Sequence, residues 1–119
     1  MATRITDAVT STSIVPVTFT TADAYAANKS VVLDIRGLKE KNVLIKNTGN
    51  TNALTWSILG SLDDGASFDI RVQADTSLAH SAQVLFSSSV YYTHYTIQVK
   101  SAGSSSPTTA VIKFAGIGI

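Results

Sequence analysis

Hydrophobic and polar positions along this chain alternate with period two, or gather in short apolar runs closed by turn residues. They almost nowhere follow the 3.6-residue period of a helix. The first extended run is "SIVPVTF", Ser13 to Phe19. Pro16 cannot donate to a ladder, so this run is an edge strand or an arm. The best helical candidate is one short turn between Thr21 and Ser30, opened by Asp23. "VVLDIR", Val31 to Arg36, sets Val31, Leu33 and Ile35 on one side, and "GLKEKN" follows as a charged turn expected to be solvated. "NVLIKN" and "ALTWSILG" read as the strands of a hairpin joined by "TGNTN", a linker long enough for a mobile tip. Leu54, Trp56 and Ile58 face one way and Thr55 and Ser57 the other, with Trp56 as the expected core anchor.

After the turn "SLDDGASF", the run "FDIRV" points Phe68, Ile70 and Val72 inward and Asp69 and Arg71 outward. "QADTSLAHS" reads as a loop and "AQVLFS", Ala82 to Ser87, as a strand. The longest strand is "VYYTHYTIQVK", Val90 to Lys100. Alternation sends Tyr91, Thr93, Tyr95, Ile97 and Val99 to one face, and Tyr92, His94, Thr96, Gln98 and Lys100 to the other. Tyr91 and Tyr95 are assigned to the core and Tyr92 to the surface. "SAGSSSP" is a flexible tip, and "TTAVIKFAGIGI" is a strand with a glycine-spaced apolar tail.

About eight strands, spaced by roughly 8 to 14 residues, predict an all-β fold. The expectation is an antiparallel β-sandwich of jelly-roll or immunoglobulin-like topology, each sheet with one dry and one wet face. Its core is expected to include Trp56, Ile58, Phe68, Ile70, Tyr95 and Ile97. Alternation does not order the strands. A chain of 119 residues suits one domain with a core of its own. Residues 13–119 are read as that domain and residues 1–12 as an extended arm without a partner in its own chain.

Composition narrows the function. Without cysteine there are no disulfides, thiolate zinc sites or cysteine nucleophiles. Charged residues make up 14% and the net charge is +1, too weak and too balanced for a general phosphate-backbone binder, so no nucleic-acid partner is expected. Ser and Thr fill about a quarter of the positions. Such a surface stays wet through hydroxyls and meets neighbours with little charge to desolvate, which points toward assembly. No stretch approaches the roughly 18 to 20 apolar residues of a membrane span. The opening "MATRITDAVTST" lacks an apolar signal core, so synthesis in a cytoplasm without a cleaved leader is expected.

Candidate chemistry is sparse. In "SLDDGASF", Ser61, Asp63, Gly65, Ser67 and Phe68 match the Asp-box, and the stretch resembles the hairpin turns of sialidase-like propellers. The box occurs once here, without the arginine set such enzymes use. It is read as a structural turn, with Asp63 capping N–H groups, Gly65 at positive φ and Phe68 as anchor. His80 and His94 have no third or fourth ligand at zinc spacing. Asp63, Asp64 and Asp69 lack the calcium-loop spacing, and Glu40 is the only glutamate. With no nucleophile elbow or phosphate loop, no enzyme, cofactor or metal is expected. "NKS", Asn28 to Ser30, is a sequon by letter only.

The stretches "VVLDIRGLKEKNVLIKNTGNTNALTWSILGSLDDGASF" and "YYTHYTIQVKSAGSSSPTTAVIKFAG" together resemble the small all-β structural proteins of tailed bacteriophage particles. The resemblance covers about three quarters of the chain, Val31 to Gly116. It implies a virion component: a capsid decoration (cement) protein first, a head–tail or tail accessory protein second. The implied partners are major capsid or other virion proteins and further copies of the chain, with a trimer favoured. Arg4, Ile5, Ile117 and Ile119 are the expected subunit contacts, because wet isoleucines at the tail would forgo roughly 1.5 to 3 kcal/mol each on burial. The competing reading is a carbohydrate-binding or adhesion module, which needs an exposed aromatic pair. A small hydrolase is a third reading and needs a pocket of convergent acids or histidines.

Overall fold

The computed structural model describes residues 11–13, 17–21, 25, 30–90, 92–103 and 106–118. Nine strands and no helix occur among them: β1 (Ser11–Ser13), β2 (Val17–Thr20), β3 (Ser30–Asp34), β4 (Leu38–Asn47), β5 (Leu54–Ser61), β6 (Ile70–Leu78), β7 (Gln83–Ser88), β8 (His94–Ser101) and β9 (Thr109–Gly118). They form two antiparallel sheets. One has the order β1-β9-β4-β7, with β2 also paired to β9; the other has the order β3-β8-β5-β6. β1 and β2 take successive stretches of one side of β9, Ser11 opposite Ile117 and Val17 opposite Ile112. β1 and β2 therefore form the outer side of that sheet.

Both sheets contribute to one core. β4 and β9 supply Val43, Ile45, Ile112 and Phe114; β3, β5 and β8 supply Leu33, Leu54, Trp56, Ile58, Tyr95, Ile97 and Val99. Strict alternation selects them, since 43 and 45, 54, 56 and 58, and 95, 97 and 99 each share a face. Fully burying each aliphatic side chain is worth roughly 1.5 to 3 kcal/mol. β5 buries Ser57 and Ser61 on its other face as well, as β8 buries Thr96.

Several expectations are corrected. The run from Asn42 to Leu59 is not a hairpin: β4 and β5 belong to different sheets, and the chain arches from one to the other. "GLKEKN" is not a solvated turn. Only Arg36 and Gly37 turn, with Gly37 at φ 79, and β4 starts at Leu38. Gln73 to Leu78 belong to β6 rather than a loop. Phe68 and Ile70 lie outside the core, each half-buried. The reason is position: β6 is an outer strand, Phe68 precedes it, and Ile70 is its first residue, opposite Gly60 near the end of β5. Tyr92 is half-buried against the core rather than on the surface, its ring 5.6 Å from that of Tyr95. Ser11 and Thr12, read as part of an arm, are paired with β9, and the tail from Phe114 to Gly118 is an inner strand of its own sheet. Asp23, Tyr91, Arg4, Ile5, Ile119 and the side chain of Ile117 lie outside what is described.

Candidate functional site

The turn from Ser61 to Phe68 is the nearest thing to a motif, and its polar atoms bond to one another. Asp63 Oδ1 accepts from the Ser61 hydroxyl at 2.6 Å and from the Ser67 N–H at 3.0 Å, and Oδ2 accepts from the Ser67 hydroxyl at 2.6 Å. Ser61 Oγ in turn accepts from the N–H groups of Asp63 and Gly65. These bonds hold the Asp63 carboxyl at a pKa of about 2, Ser61 contributing most. Asp64 at φ 61 and Gly65 at φ 85 complete the bend. Phe68, expected to anchor the turn, is only half-buried.

Around this turn the sheet gathers Asp34, Arg36, Thr93 and His94. Register places Asp34 opposite His94 and His94 opposite Ser61. Arg36 grips Asp34 with Nε at 2.9 Å and with a second guanidinium nitrogen, and it reaches Asp64 at 3.4 Å. Its hydrogen bonds hold the Asp34 carboxyl at about 2. Thr93 donates to Ser61 O at 3.0 Å and accepts from Asp64 N at 3.1 Å. His94 Nε2 lies 3.9 Å from Asp34, and its ring backs onto Gly65. An arginine already forked onto a carboxylate is a poor receptor for a substrate anion. The cluster fastens the β5–β6 turn to β3 and β8.

The opposite end is equally committed. Asn47 is buried and uses both ends of its amide. Nδ2 donates to Asn52 O and Leu78 O, and Oδ1 accepts from Gly49 N and the Thr108 hydroxyl. Asn52 donates to Pro107 O, and Ser81 N–H donates to Gly49 O. The Asn-Thr-Gly string is thus a tied arch rather than a loose tip or a row of groups waiting for a sugar. His80 sits exposed just past Leu78, at the Leu54 end of β5, whereas His94 pairs with Ser61 at the other end. Seven residue steps separate those ends, about 23 Å at the usual rise, so the two histidines are not brought together. Among the described residues no three His, Asp or Glu side chains are grouped as metal ligands.

Three side chains escaped the sequence reading. Lys41 is 1% exposed, and its Nζ donates to Val90 O at 2.7 Å and Leu38 O at 3.2 Å. Desolvation pushes its pKa down. The signal was present: alternation from Val43 and Ile45 points 41 and 47 inward too, and both are buried. Tyr25 donates to Asp75 at 2.8 Å, lies under the Lys100 ammonium, and is pushed up to about 12 by burial. No local pattern marks it, since its partners are about 50 and 75 residues away.

Four large aliphatic side chains also face outward. Leu85 is 62% and Val90 58% exposed, and Val32 and Leu62 are also more than half exposed. Among the described residues the aromatics give no exposed pair, since Trp56 and Tyr95 are buried and Tyr92 half-buried.

No family model matches the chain, and no curated protein sequence matches it. Solved structures resemble it over most of its length. A chain from a structure described as "Bacillus endospore appendages form a novel family of disulfide-linked pili" superimposes with a TM-score of 0.58 at 13% identity, covering 92% of this chain and 87% of that one. PirA gives 0.56 at 14% identity, with 83% and 92% covered. The pre-peptidase C-terminal domain of a collagenase from Bacillus anthracis gives 0.53 at 10%, with 84% and 87% covered. At these identities the likeness is one of fold.

Proposed function

We propose that this protein is a non-enzymatic structural subunit of a virus particle, a capsid decoration protein that stabilises the shell through subunit contacts. A head–tail or tail accessory role is the variant reading. One observation carries it: the Asp63 turn and the Asn47 arch spend their polar groups on the protein's own backbone and turns, while four large aliphatic side chains and an uncharged outer strand face outward. That is the chemistry of association rather than of turnover. The strand order β1/β2-β9-β4-β7 over β3-β8-β5-β6 supports a jelly-roll sandwich, an architecture used in capsid shells. Likeness to a pilus chain is in keeping with a sandwich used as a building unit. A carbohydrate platform has less support, for want of an exposed aromatic pair among the described residues.

The test is co-sedimentation of the purified chain with particles lacking it, read with shell resistance to heat. Saturable binding and a stabilised shell are expected; no binding to head or tail refutes the reading. Removing residues 1–10, which include Arg4 and Ile5, is expected to weaken that binding while circular dichroism stays unchanged. On how many copies meet, the sequence expectation of three and the edge chemistry below part company.

A further inference from the structure

The outer strands differ in how they are closed to a neighbour. The run holding β1 and β2 contains Pro16. β3 ends on Asp34, ion-paired with Arg36. β6 carries Arg71 and Asp75 and two register shifts. β7, "QVLFSS", has no charge and no proline, and pairs with β4 through six consecutive partners without a shift. Sheet edges are ordinarily blunted by charge, proline or bulges, because unpaired N–H and C=O groups recruit another strand. β7 has none of these, and Leu85 stands exposed at its middle.

Register says which backbone groups are free. The Asn47 N–H donates to Ala82 O. Alternation along an antiparallel ladder then turns the backbone groups of Val84, Phe86 and Ser88 toward β4 and those of Gln83, Leu85 and Ser87 toward the open side. We infer that β7 is a self-association edge, taking β7 of a second copy in antiparallel pairing about a two-fold axis through Leu85. Leu85 then faces Leu85, and Gln83 faces the second copy's Ser87. Every residue so paired has its backbone groups on the open side, so each facing pair exchanges two hydrogen bonds. Sliding two residues either way loses one of the three pairs.

The side chains agree with this register. Leu44 lies opposite Leu85, and Lys46 and Asn42 lie opposite Gln83 and Ser87. Across the joined sheet one row therefore reads Leu44, Leu85, Leu85, Leu44, an apolar strip over the axis. The flanking row reads Lys46, Gln83, Ser87, Asn42, and brings no like charges together. The second copy is the committed occupant, because this self-complementarity is specific to the chain's own strand.

The inference deepens the assembly reading by naming how copies meet, and its test is separable from that reading. Sedimentation equilibrium of the full chain is expected to show a reversible dimer. Leu85→Lys is expected to raise its dissociation constant at least about tenfold, with circular dichroism unchanged, by setting two cations face to face and removing the leucine contact. Leu62→Lys, on an equally exposed leucine outside β7, is expected to leave it unaltered. In this cysteine-free chain Leu85→Cys is expected to form a covalent dimer on oxidation, since facing Cα atoms at ~5.5 Å suit a disulfide. Gln83→Cys, facing Ser87, is expected to cross-link far more slowly. A chain monomeric at millimolar concentration, a dimer indifferent to Leu85→Lys, or equal cross-linking at 83 and 85 would overturn the inference. A dimer that ignores particles refutes the particle reading alone; a monomer that binds them refutes only the edge.

Discussion

Tyr95 offers the sharpest energetic test of the core. Its side chain is fully buried, edge-on to Phe86 with ring centroids 6.4 Å apart and tilted against Tyr92. Among the described residues its hydroxyl meets no partner at hydrogen-bond geometry, and burial pushes the phenol's pKa up. A buried hydroxyl left unpaired costs about 1 to 3 kcal/mol. Tyr95→Phe removes that cost and keeps both ring contacts. It forfeits only the dispersion contacts of one oxygen, a few tenths of a kcal/mol. The variant is therefore expected to be more stable by about 1 kcal/mol, which for a domain of this size raises Tm by roughly 4 °C. Urea unfolding followed by fluorescence of Trp56, the single tryptophan, reads this directly as a shifted midpoint at constant slope. A loss of 1 kcal/mol or more would refute the reasoning and mark the hydroxyl as bonded. Ser88, which bears on the phenol's titration, is the partner to check. If that bond exists, the effects of Ser88→Ala and Tyr95→Phe will not add.

Four further outcomes follow from the same geometry. Lys41 has its pKa lowered by burial, so the unfolded chain binds more protons as pH climbs through the folded value toward 10.5; stability should rise over that range, and Lys41→Met should flatten the rise in pH-dependent urea midpoints. Above about pH 10 the trend should reverse, because the raised phenols of Tyr25 and Tyr95 then hold protons that the unfolded chain releases. At the acid end Asp34 and Asp63, both held at about 2, contribute stability that is present above 3.8 and lost as pH falls toward 2; the Asp34→Asn, Asp63→Asn double variant should show a shallower acid limb by circular dichroism. Gly60→Ala places a Cβ 2.7 Å from Tyr92 Cδ1 and 3.0 Å from Val72 Cγ2, and should cost about 1 to 3 kcal/mol in thermal unfolding unless the Tyr92 ring swings aside.

The period-two pattern was enough to find most strands and the centre of the core, because Leu54, Trp56, Ile58, Tyr95, Ile97 and Val99 obey alternation without interruption. It failed where tertiary partners override local signals. Charge in "GLKEKN" outweighed the phase that carries Lys41 inward, although the phase is what the fold obeys. Alternation made Phe68 and Ile70 look like core residues, but one precedes the outer strand β6 and the other only begins it. The hairpin reading of Asn42 to Leu59 failed because turn chemistry is the same whether a chain folds back within a sheet or arches to the facing one. The Asp-box turn was legible down to Asp63 and Gly65, since its bonds are local. Arg36, Thr93 and His94 joined it through strand register, which no spacing in the sequence encodes.

Lys41 and Asn47 give the buried polar residues of β4 a common role. Both face inward from one strand, with Val43 and Ile45 between them. Asn47 holds Leu78 O and, through its backbone, Ala82 O, fixing the turn that leads into β7. Lys41 holds Val90 O, fixing the connection that leaves β7. The outer strand whose edge is open is therefore clamped at both ends from within the core. A buried ammonium is a costly device, and apolar residues of similar volume would often serve stability as well. Its advantage lies elsewhere: an edge held straight before it meets a partner loses less chain entropy on pairing, so more of each new hydrogen bond and leucine contact appears as affinity. On this argument Lys41→Met should weaken self-association more than it weakens folding, a difference that the Leu62→Lys control does not share.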